Sequence, residues 1–472
     1  MFVYIKKNVY VCNFQSKIPD YVMKSIRFNK LLLTLCLSLT MALPLAAGGV
    51  KKPAPRPDVV FPYYGQSLSA ASIKPVKLKS VYQSDVSTAW REYQKRDVAP
   101  VLASLQSLSD QMGLNDWFVF RLVREYVDGL LCDATPNERV LLEHFLLVKL
   151  GYDVRLARTV SQLLLMVPFE QEVYERFFIK LEGKEYYLFF DDLDADLDDI
   201  SVIQPCDPFK KDVGNGRVFS LLFDDKKLSV SSGESKSCDF DDGMIHVSCS
   251  VDPGIIRMLR DYPVLNVQCY ANSVVLPQFH DSILEQLAPQ LADMGQCDAA
   301  DALLHFVQHV FGYEDDGEQY GGEKVNFVEE SFYYDKNDCE DRSILYAFLV
   351  QSLLGLDVQF VNYPGHECTA VHFTDCDPYG NGYFYGNDYY LICDPSYVGG
   401  TIGKCMPQYR GMQPSVKTMT TVLASSDDNS LLQPRLDKRT ISPRINVEII
   451  EPPQQQDSLP ISTRYIPSGF VP

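Results

Sequence analysis

Two segments of the chain share one pattern of apolar and polar positions. The first, "NERVLLEHFLLVKLGYDVRLA", is apolar at helical spacing over residues 137–150, with Pro136 at its start and Gly151 at its end. The second, "EDRSILYAFLVQSLLGLDVQFV", repeats this layout, and Gly355 takes the role of Gly151. A strand pattern begins two residues after each glycine. We therefore predict that the chain contains two copies of one unit.

The segments that follow the two helices are rich in Tyr, Phe and Val. "EYYLFFDD" (Glu185–Asp192) matches "DYYLICDP" (Asp388–Pro395), and Pro168 matches Pro364. A helix followed by short aromatic strands is typical of α+β layers with an antiparallel sheet. We therefore predict an α+β fold with a duplicated unit, in which each copy packs one helix on such a sheet.

The N-terminal region has the pattern of a secretory signal. Lys24, Arg27 and Lys30 precede the short apolar run "LLLTLCLSLTMALPLAA", and small residues follow it near Ala47. The apolar run is short for a bilayer span, so we expect no stable membrane insertion after signal removal. Met23 is an alternative start of this signal. The pattern predicts a periplasmic or secreted protein.

Composition shifts along the chain predict its domain boundaries. Prolines favour an extended spacer after the signal, and a Pro/Gln-rich C-terminal segment cannot bury enough apolar surface to order itself. The predicted organisation is a signal segment at 1–47, a Pro-rich spacer at 48–79, a first copy at 80–255, a second copy at 256–440 and a tail at 441–472.

Charge and cysteine spacing exclude several functional classes. The formal net charge is −19, and residues 1–47 carry six Lys or Arg and one Asp, so the remainder has a formal net charge of −24. A phosphate backbone would be repelled by this charge, so we expect no nucleic-acid partner. The thirteen cysteines include no CxxC pair and no zinc-like Cys/His array. We therefore predict no metal and no cofactor.

One cysteine lies where a polar turn gives way to an apolar helix, in "DKNDCEDRSILYAFLVQSLL" (Asp335–Leu354). Asn337 or Asp338 would be the N-cap, which puts Cys339 in the first, solvent-facing turn, near the positive end of the helix dipole. This position favours a thiolate. The neighbouring Glu340 and Asp341 act in the opposite direction, since like charges raise the pKa of a thiol. A cationic partner is therefore expected.

Two histidines and an aspartate downstream could complete a catalytic triad. His366 follows the Pro364–Gly365 turn at the start of a strand, His372 lies six residues further on, and Asp394 ends a later strand. A thiol nucleophile needs a base and a carboxylate that orients it. Asp394 could instead cap a turn, and Cys339 could be a structural or disulfide cysteine. We expect His366 to be the base on position, and His372 to lie in the core.

These residues resemble the transglutaminase-like superfamily of papain-like thiol enzymes. The resemblance is strongest over residues 306–407, through "FVQHVFGYEDD", "DCEDRS", "YPGHECTAV" and "CDPSYVGGTIG", which are similar to a bacterial secreted branch. It implies a papain/transglutaminase-like fold with catalytic roles for Cys339, His366 and Asp394. Related thiol enzymes use an upstream side chain in the oxyanion hole, for which Gln319 is the candidate.

The first copy resembles a catalytically empty relative. In the sequence alignment Thr135 takes the place of Cys339, Glu170 that of His366, and Asp191 that of Asp394. The acidic run Asp191–Asp199 could bind calcium, but it lacks EF-hand spacing, so a solvated loop is the simpler interpretation.

The resemblance implies a thiol hydrolase or acyltransferase that acts on amide or peptide bonds through a thioester. The expected partners are protein, peptide or cell-wall amide substrates, and hydrolysis and transfer both remain open. The alternative is a non-catalytic binding or scaffold protein on the same fold.

Overall fold

The structure is a computed structural model that describes residues 58–189, 203–207, 216–223, 228–375 and 379–419, together with the backbone of two strands beyond them. The predicted signal segment, 1–47, and the acidic run Asp191–Asp199 lie outside the described residues. None of the helices within the described ranges has the length and apolar character needed to cross a bilayer.

The described residues form a mixed α+β fold, which confirms the predicted class at that level. The helices are α1 (Gln83–Gln94), α2 (Ala99–Met112), α3 (Asp116–Leu130), α4 (Pro136–Lys149), α5 (Pro253–Leu259), α6 (Val267–Ala271), α7 (Pro277–Leu291), α8 (Gln296–Val310), α9 (Asp316–Gln319), α10 (Val328–Tyr333) and α11 (Cys339–Leu354). The strands are β1 (Val59–Tyr63), β2 (Gln66–Ala70), β3 (Arg155–Arg158), β4 (Leu163–Pro168), β5 (Phe177–Leu181), β6 (Lys184–Phe189), β7 (Gln204–Pro205), β8 (Lys236–Asp241), β9 (His246–Val251), β10 (Asp357–Tyr363), β11 (His366–His372), β12 (Gly382–Tyr385), β13 (Asp388–Cys393), β14 (Ser415–Thr418), β15 (Ile445–Glu448) and β16 (Ser462–Tyr465).

Two antiparallel sheets share one strand order. The five-stranded sheet runs β12-β13-β11-β10-β14, and the seven-stranded sheet runs β15-β16-β5-β6-β4-β3-β7. When β15 and β16 are left aside, the second sheet runs β5-β6-β4-β3-β7, and each of these strands has the same place in its sheet as its counterpart in β12-β13-β11-β10-β14. A helix precedes each sheet in the chain and packs on it, α4 on β4 and α11 on β11. Two separate hairpins, β1-β2 and β8-β9, complete the strands of the described residues.

Strand alternation in the five-stranded sheet gives it two different faces. Val358, Phe360 and Leu391 point into the main core, to which α11 also contributes. The alternate residues, among them Val361 and Ala370, form a second, smaller cluster on the other face. Because successive side chains of a strand point to opposite faces, the apolar runs of β10 and β11 supply apolar side chains to both clusters. The sheet is therefore covered on both faces around the predicted site.

The two halves of the chain share one core. The Tyr262 ring lies 5.6 Å from that of Phe118, 5.6 Å from that of Phe223 and 5.1 Å from that of Phe327, measured between centroids. Its hydroxyl accepts a 2.6 Å hydrogen bond from the Asn115 amide. These residues belong to a single cluster of buried side chains. The predicted boundary between residues 255 and 256 lies within this aromatic cluster.

Ordered strands lie in both segments for which composition predicts none. In the predicted spacer, β1 and β2 pair as an antiparallel hairpin, with Phe61 and Tyr63 buried and Pro62 exposed. Apolar residues at every second position decide this outcome, and the proline is tolerated because it faces solvent at a sheet edge. In the predicted tail, the backbone of β16 pairs with β5, and that of β15 with β16.

The strand order also changes the alignment of the two halves. Pro168 is the last residue of β4, whereas Pro364 lies in the turn before β11. Glu170 therefore follows its strand and is not equivalent to His366, which begins one. Leu163 holds the corresponding first position of β4. The match between the prolines was misleading because proline is common beside any strand end or turn.

Candidate active site

Helix α11 carries Cys339 as its first residue. Asp338 is the N-cap, and its side chain accepts a hydrogen bond from the Asp341 N–H at 3.4 Å. The helix ends at Gly355, which has a φ of 65° and provides the left-handed cap that the sequence indicates. Residues 344–350 are buried. The helix is thus a fixed support for the residues of its first turn.

His366 and Asp394 form a buried hydrogen-bonded pair. His366 Nε2 lies 2.9 Å from Asp394 Oδ2, at the point where β11 begins and β13 has just ended. The second carboxylate oxygen of Asp394 accepts hydrogen bonds from the N–H groups of Ser396 and Tyr397, at 3.0 and 3.2 Å. Asp394 therefore holds the imidazole in place and also caps a turn, and its catalytic role stays a prediction. The Nδ1 atom of His366 is left for another partner.

The Cys339 thiol lies beside the residue that follows His366. The backbone of Glu367 hydrogen-bonds the thiol. The Ser343 hydroxyl donates to the Cys339 carbonyl at 2.7 Å and reaches the Glu367 carbonyl at 3.3 Å. These contacts bring the start of α11 against the start of β11. Cys339, His366 and Asp394 are therefore gathered in one region, although they are distant in sequence.

The environment of the thiol differs from the expected solvent-facing helix end. Cys339 is 4 % exposed, and its Sγ donates to Glu340 Oε2 at 3.0 Å. Burial raises the pKa of the Cys339 thiol well above its usual value, and the charges of Glu340 and Asp338 raise it further. The expected exposure of the first turn is therefore wrong, because this turn is covered by β11 and by acidic neighbours. Burial and these charges both favour the neutral thiol.

His372 lies at the opposite end of β11. Its Nδ1 is 3.2 Å from the Tyr389 carbonyl oxygen, and its Nε2 is 3.9 Å from Asp388 Oδ1. Six residues of strand span about 20 Å, too far for both histidines to reach one thiol. The contact with Asp394 thus favours His366 as the base.

Gln319, the oxyanion candidate, lies at the end of α9. Its amide donates to the Tyr320 hydroxyl at 2.7 Å and to the Lys336 carbonyl at 3.4 Å. Lys336 is three residues before Cys339, so this contact places the Gln319 amide beside the segment that leads into α11. The role of Gln319 stays a prediction.

Arg342 ties the site together and was not identified from sequence. This residue of the first turn of α11 is 1 % exposed. Its guanidinium donates to the carbonyls of Asn337 at 3.2 Å, Phe311 at 2.7 Å, and Gln308 and Pro395 at 3.5 Å each. These carbonyls come from the end of α8, the approach to α11 and the loop that follows Asp394. Arg342 therefore joins the helix of Cys339 to the loop of Asp394.

A cluster of buried carboxyl groups adjoins Cys339. Asp316, Asp338 and Asp341 have oxygens within 4.8 Å of one another, as do Asp316, Glu323 and Glu340. Burial, with the Asp341 charge next, raises the pKa of Asp316 to about 8, and burial raises that of Asp341 to about 7. The spacing of these carboxylate oxygens would suit a cation. Protonation of some of the carboxyl groups would also relieve the repulsion between their charges. The signal in the sequence was the density of acids in "YEDDGEQYGGEK" and "DCED".

Tyr409 covers the imidazole, and it too was missed. Its ring stacks on His366 at 5.3 Å and 4°, and on Tyr363 at 4.7 Å and 14°. Burial raises the pKa of Tyr409, and the charges of Cys339 and Asp394 contribute, which indicates that both lie nearby. Cys368 also lies close, with its Sγ within 4.8 Å of ligand atoms of His366 and Asp394.

A groove of about 520 Å³ begins at Tyr409. Aromatic side chains line much of it, including Tyr363, Tyr383 and Tyr389. Among its described lining residues Arg410 is the one charged side chain. The groove therefore offers aromatic surface and a cation, and it reaches Tyr409, whose ring stacks on that of His366.

The first half has no equivalent nucleophile at its helix start. Thr135 is the N-cap of α4, in a capping box with Glu138, and Pro136 is the first helical residue. By helix position Pro136, and not Thr135, corresponds to Cys339. The sequence alignment was displaced by one residue because it was anchored on the glycines at the helix ends. Asp191, the proposed counterpart of Asp394, lies outside the described residues.

The acidic cluster predicts a stability that falls with rising pH. Unfolded carboxyl groups titrate near 4, whereas folded Asp316 titrates at about 8, so between these values the folded state holds protons that the unfolded state has released. The free energy of unfolding should therefore decrease from about pH 6.5 to about pH 8. Below that window His144, whose pKa burial lowers to about 3, acts in the opposite direction. Urea unfolding of the wild type and of Asp316→Asn should show a flatter profile for the variant. Parallel profiles would contradict the role of Asp316.

The thiol environment predicts the effect of Glu340→Gln. Glutamine keeps an acceptor for the thiol and removes a charge that raises the pKa of Cys339. The pH midpoint of Cys339 alkylation by iodoacetamide, followed by peptide mass, should fall by about one pH unit, the scale expected for a neighbouring charge. Glu318→Gln, at an exposed position on α9, is the matched control. A midpoint that stays equal in both variants would show that Glu340 does not govern the thiol.

Neither the scan of protein-family models nor the search of curated proteins finds a match to this chain.

Proposed function

We propose that this chain is a thiol hydrolase or acyltransferase that cleaves amide or peptide bonds with Cys339, His366 and Asp394. The observation that carries the proposal is the His366–Asp394 hydrogen bond at 2.9 Å, beside the helix start that bears Cys339. A carboxylate on one ring nitrogen fixes the tautomer and leaves the other nitrogen to act on a nucleophile.

The proposed reaction proceeds through a thioester. The free nitrogen of His366 takes the thiol proton while Sγ of Cys339 attacks the carbonyl carbon. The tetrahedral oxyanion then collapses, the C–N bond breaks, and the leaving nitrogen takes the proton from the imidazolium. Water or an amine attacks the thioester, gives its proton to the imidazole and releases the thiol. Because burial and acidic neighbours raise the pKa of the Cys339 thiol, proton transfer accompanies the attack in this scheme rather than preceding it.

Two groups could stabilise the oxyanion in this scheme. The N–H of Cys339 is at the first helical position, where backbone donors lack intrahelical acceptors. The side-chain amide of Gln319 would be the second donor, released from Tyr320 on substrate binding.

The aromatic groove suggests the substrate side chain. Tyr363, Tyr383 and Tyr409 offer ring faces, and Arg410 offers the charge, so an amide substrate with an apolar or aromatic group near a carboxylate fits best. Peptides and cell-wall amides both include such groups. The groove adjoins His366 through Tyr409, so a bound side chain would lie near the reacting carbonyl.

We infer that the fold is transglutaminase-like and duplicated, and that the chain acts in the periplasm or outside the cell. What supports the fold is a helix that begins with cysteine and packs on an antiparallel sheet, in which β11 supplies the histidine and the aspartate directly follows β13. What supports the duplication is the common strand order of the two sheets. What supports the location is the secretory-signal pattern of residues 1–47.

One observation favours the alternative, a binding or scaffold protein. A buried thiol that donates to a carboxylate and has a raised pKa is typical of an inert cysteine. In that case the His366–Asp394 pair and the stacked Tyr409 would be structural, and the aromatic groove would bind a ligand without chemistry. Reactivity of Cys339 separates the two functions.

Replacement of the nucleophile should abolish activity and keep the fold. Cys339→Ala removes the attacking sulfur, so release of amine from glutamine-containing and cell-wall peptides should fall by about 10⁴-fold or more, as for other nucleophiles. Cys132→Ser, at an exposed position, is the control and should retain activity. Circular dichroism checks the fold of both. Activity retained in Cys339→Ala would refute the mechanism.

The choice of histidine predicts a second result. His366→Ala removes the base beside Cys339, so thiolate formation should move to higher pH, whereas His372→Ala should leave it unchanged. The measurement is the pH profile of Cys339 alkylation by iodoacetamide. A shift produced by His372→Ala alone would assign the base to the other end of β11.

A further inference from the structure

The β8-β9 hairpin places two cysteines directly opposite each other. Cys238 and Cys249 are cross-strand partners in its antiparallel register, between the pairs Asp239↔Ser248 and Ser237↔Ser250. Opposed residues of an antiparallel pair have Cα atoms about 4.5 to 5.5 Å apart. That spacing falls within the range of about 4.4 to 6.8 Å found for disulfides. The backbone therefore needs no rearrangement to join these residues.

The side chains are also arranged for bonding. Directly opposed residues of an antiparallel pair point to the same face of the hairpin, so both thiols lie on one face, and each shifts the pKa of the other. Both residues are half-buried, whereas six other described free cysteines are buried, Cys206, Cys269, Cys339, Cys368, Cys393 and Cys405. The hairpin pair is therefore more accessible to an oxidant in solution than those thiols are. Cys297 is disulfide-bonded.

We propose that Cys238 and Cys249 are a disulfide site that closes the β8-β9 hairpin in an oxidising compartment. The inference does not depend on the proposed enzymatic function. Oxidation removes two electrons and two protons from the pair, and the electrons go to a disulfide oxidant such as a thiol oxidoreductase or oxidised glutathione. One thiolate attacks the oxidant, which releases the first oxidant thiol. The second cysteine then attacks the mixed disulfide and releases the second thiol.

Cys238 is the first nucleophile of the pair. Burial raises the pKa of both thiols, to about 12 for Cys249. Lys236 lies two residues before Cys238 on the same face of β8, and its charge acts against that rise, whereas the charges of Asp335 and Asp239 add to it. The thiolate fraction, and with it the rate of attack, is therefore larger at Cys238. Cys249 is the resolving cysteine.

The disulfide would fix a hairpin that contacts several helices. Phe240 of β8 lies 5.0 Å from Phe311 and 5.4 Å from Phe332, between ring centroids. Gln286 and Gln290 of α7 hydrogen-bond the backbone of β9. A disulfide between these contacts would keep β8 and β9 in their present register and hold the hairpin against the helices.

The test oxidises the purified full chain after reduction. The reduced protein is incubated with oxidised glutathione, its remaining thiols are alkylated in denaturant, and it is digested without reduction for mass spectrometry. We expect Cys238 and Cys249 to be joined to each other, so the peptide or peptides that contain them should have a mass two hydrogens below that of the reduced form. Alkylation of both residues to the extent seen in the reduced sample, or linkage of either to another cysteine, would overturn the proposal.

Two single variants test the order of attack and keep the proposal falsifiable if oxidation is slow. Cys249→Ser should accumulate a glutathione adduct at Cys238 several-fold faster than Cys238→Ser accumulates one at Cys249. Cys132→Ser should leave formation of the linked pair unchanged, because Cys132 lies outside the hairpin. Equal rates of adduct formation would refute the assignment of Cys238, and linkage lost in Cys132→Ser would refute the pairing.

Discussion

The buried guanidinium of Arg342 is the constraint on which the site depends. Three segments meet there, and the guanidinium donates to a backbone carbonyl of each, at Asn337, Pro395 and Phe311. Buried backbone carbonyls need such donors. Arginine suits this position because its planar fork carries five donors, whereas lysine offers three on a point charge. The same contacts fix the distance between the helix of Cys339 and the loop of Asp394. The relative position of Cys339 and Asp394 thus follows from hydrogen bonds that neither residue makes.

Local chemistry explains which parts of the site could be predicted from sequence. The N-cap at Asp338, the glycine at the end of α11 and the histidine after a Pro-Gly turn depend on neighbouring residues, and a reader of the sequence can find them. The His366–Asp394 pairing depends on which strands are neighbours, and from the sequence it was expected only through the resemblance. Burial of Cys339 and the stack of Tyr409 on His366 arise from segments far apart in sequence. No local pattern encodes those contacts, so they had to come from the structure.

The same limit applies to the larger architecture. The α+β class follows from helical and strand periodicities, whereas the hairpin of β1 and β2 contradicts the composition of its segment. There, alternation of apolar residues outweighs the prolines because burying Phe61 and Tyr63 gains more than the prolines cost at an exposed edge. The alignment of the two halves failed for a related reason. Prolines and glycines mark turns in any fold, and only pairing between strands reveals which turns correspond.

The aromatic cluster around Tyr262 has a consequence for how the molecule unfolds. Phe118 and Phe223 belong to the first half and Phe327 to the second, and Tyr262 touches all three. A chain cut between the halves would expose these rings to water, a loss of about 1.5 to 3 kcal/mol for each large apolar side chain. Neither half then has a complete apolar interior of its own. Whatever their ancestry, the two sheets should melt together as one cooperative unit, and selection on the half that bears Cys339 must act on the stability of both.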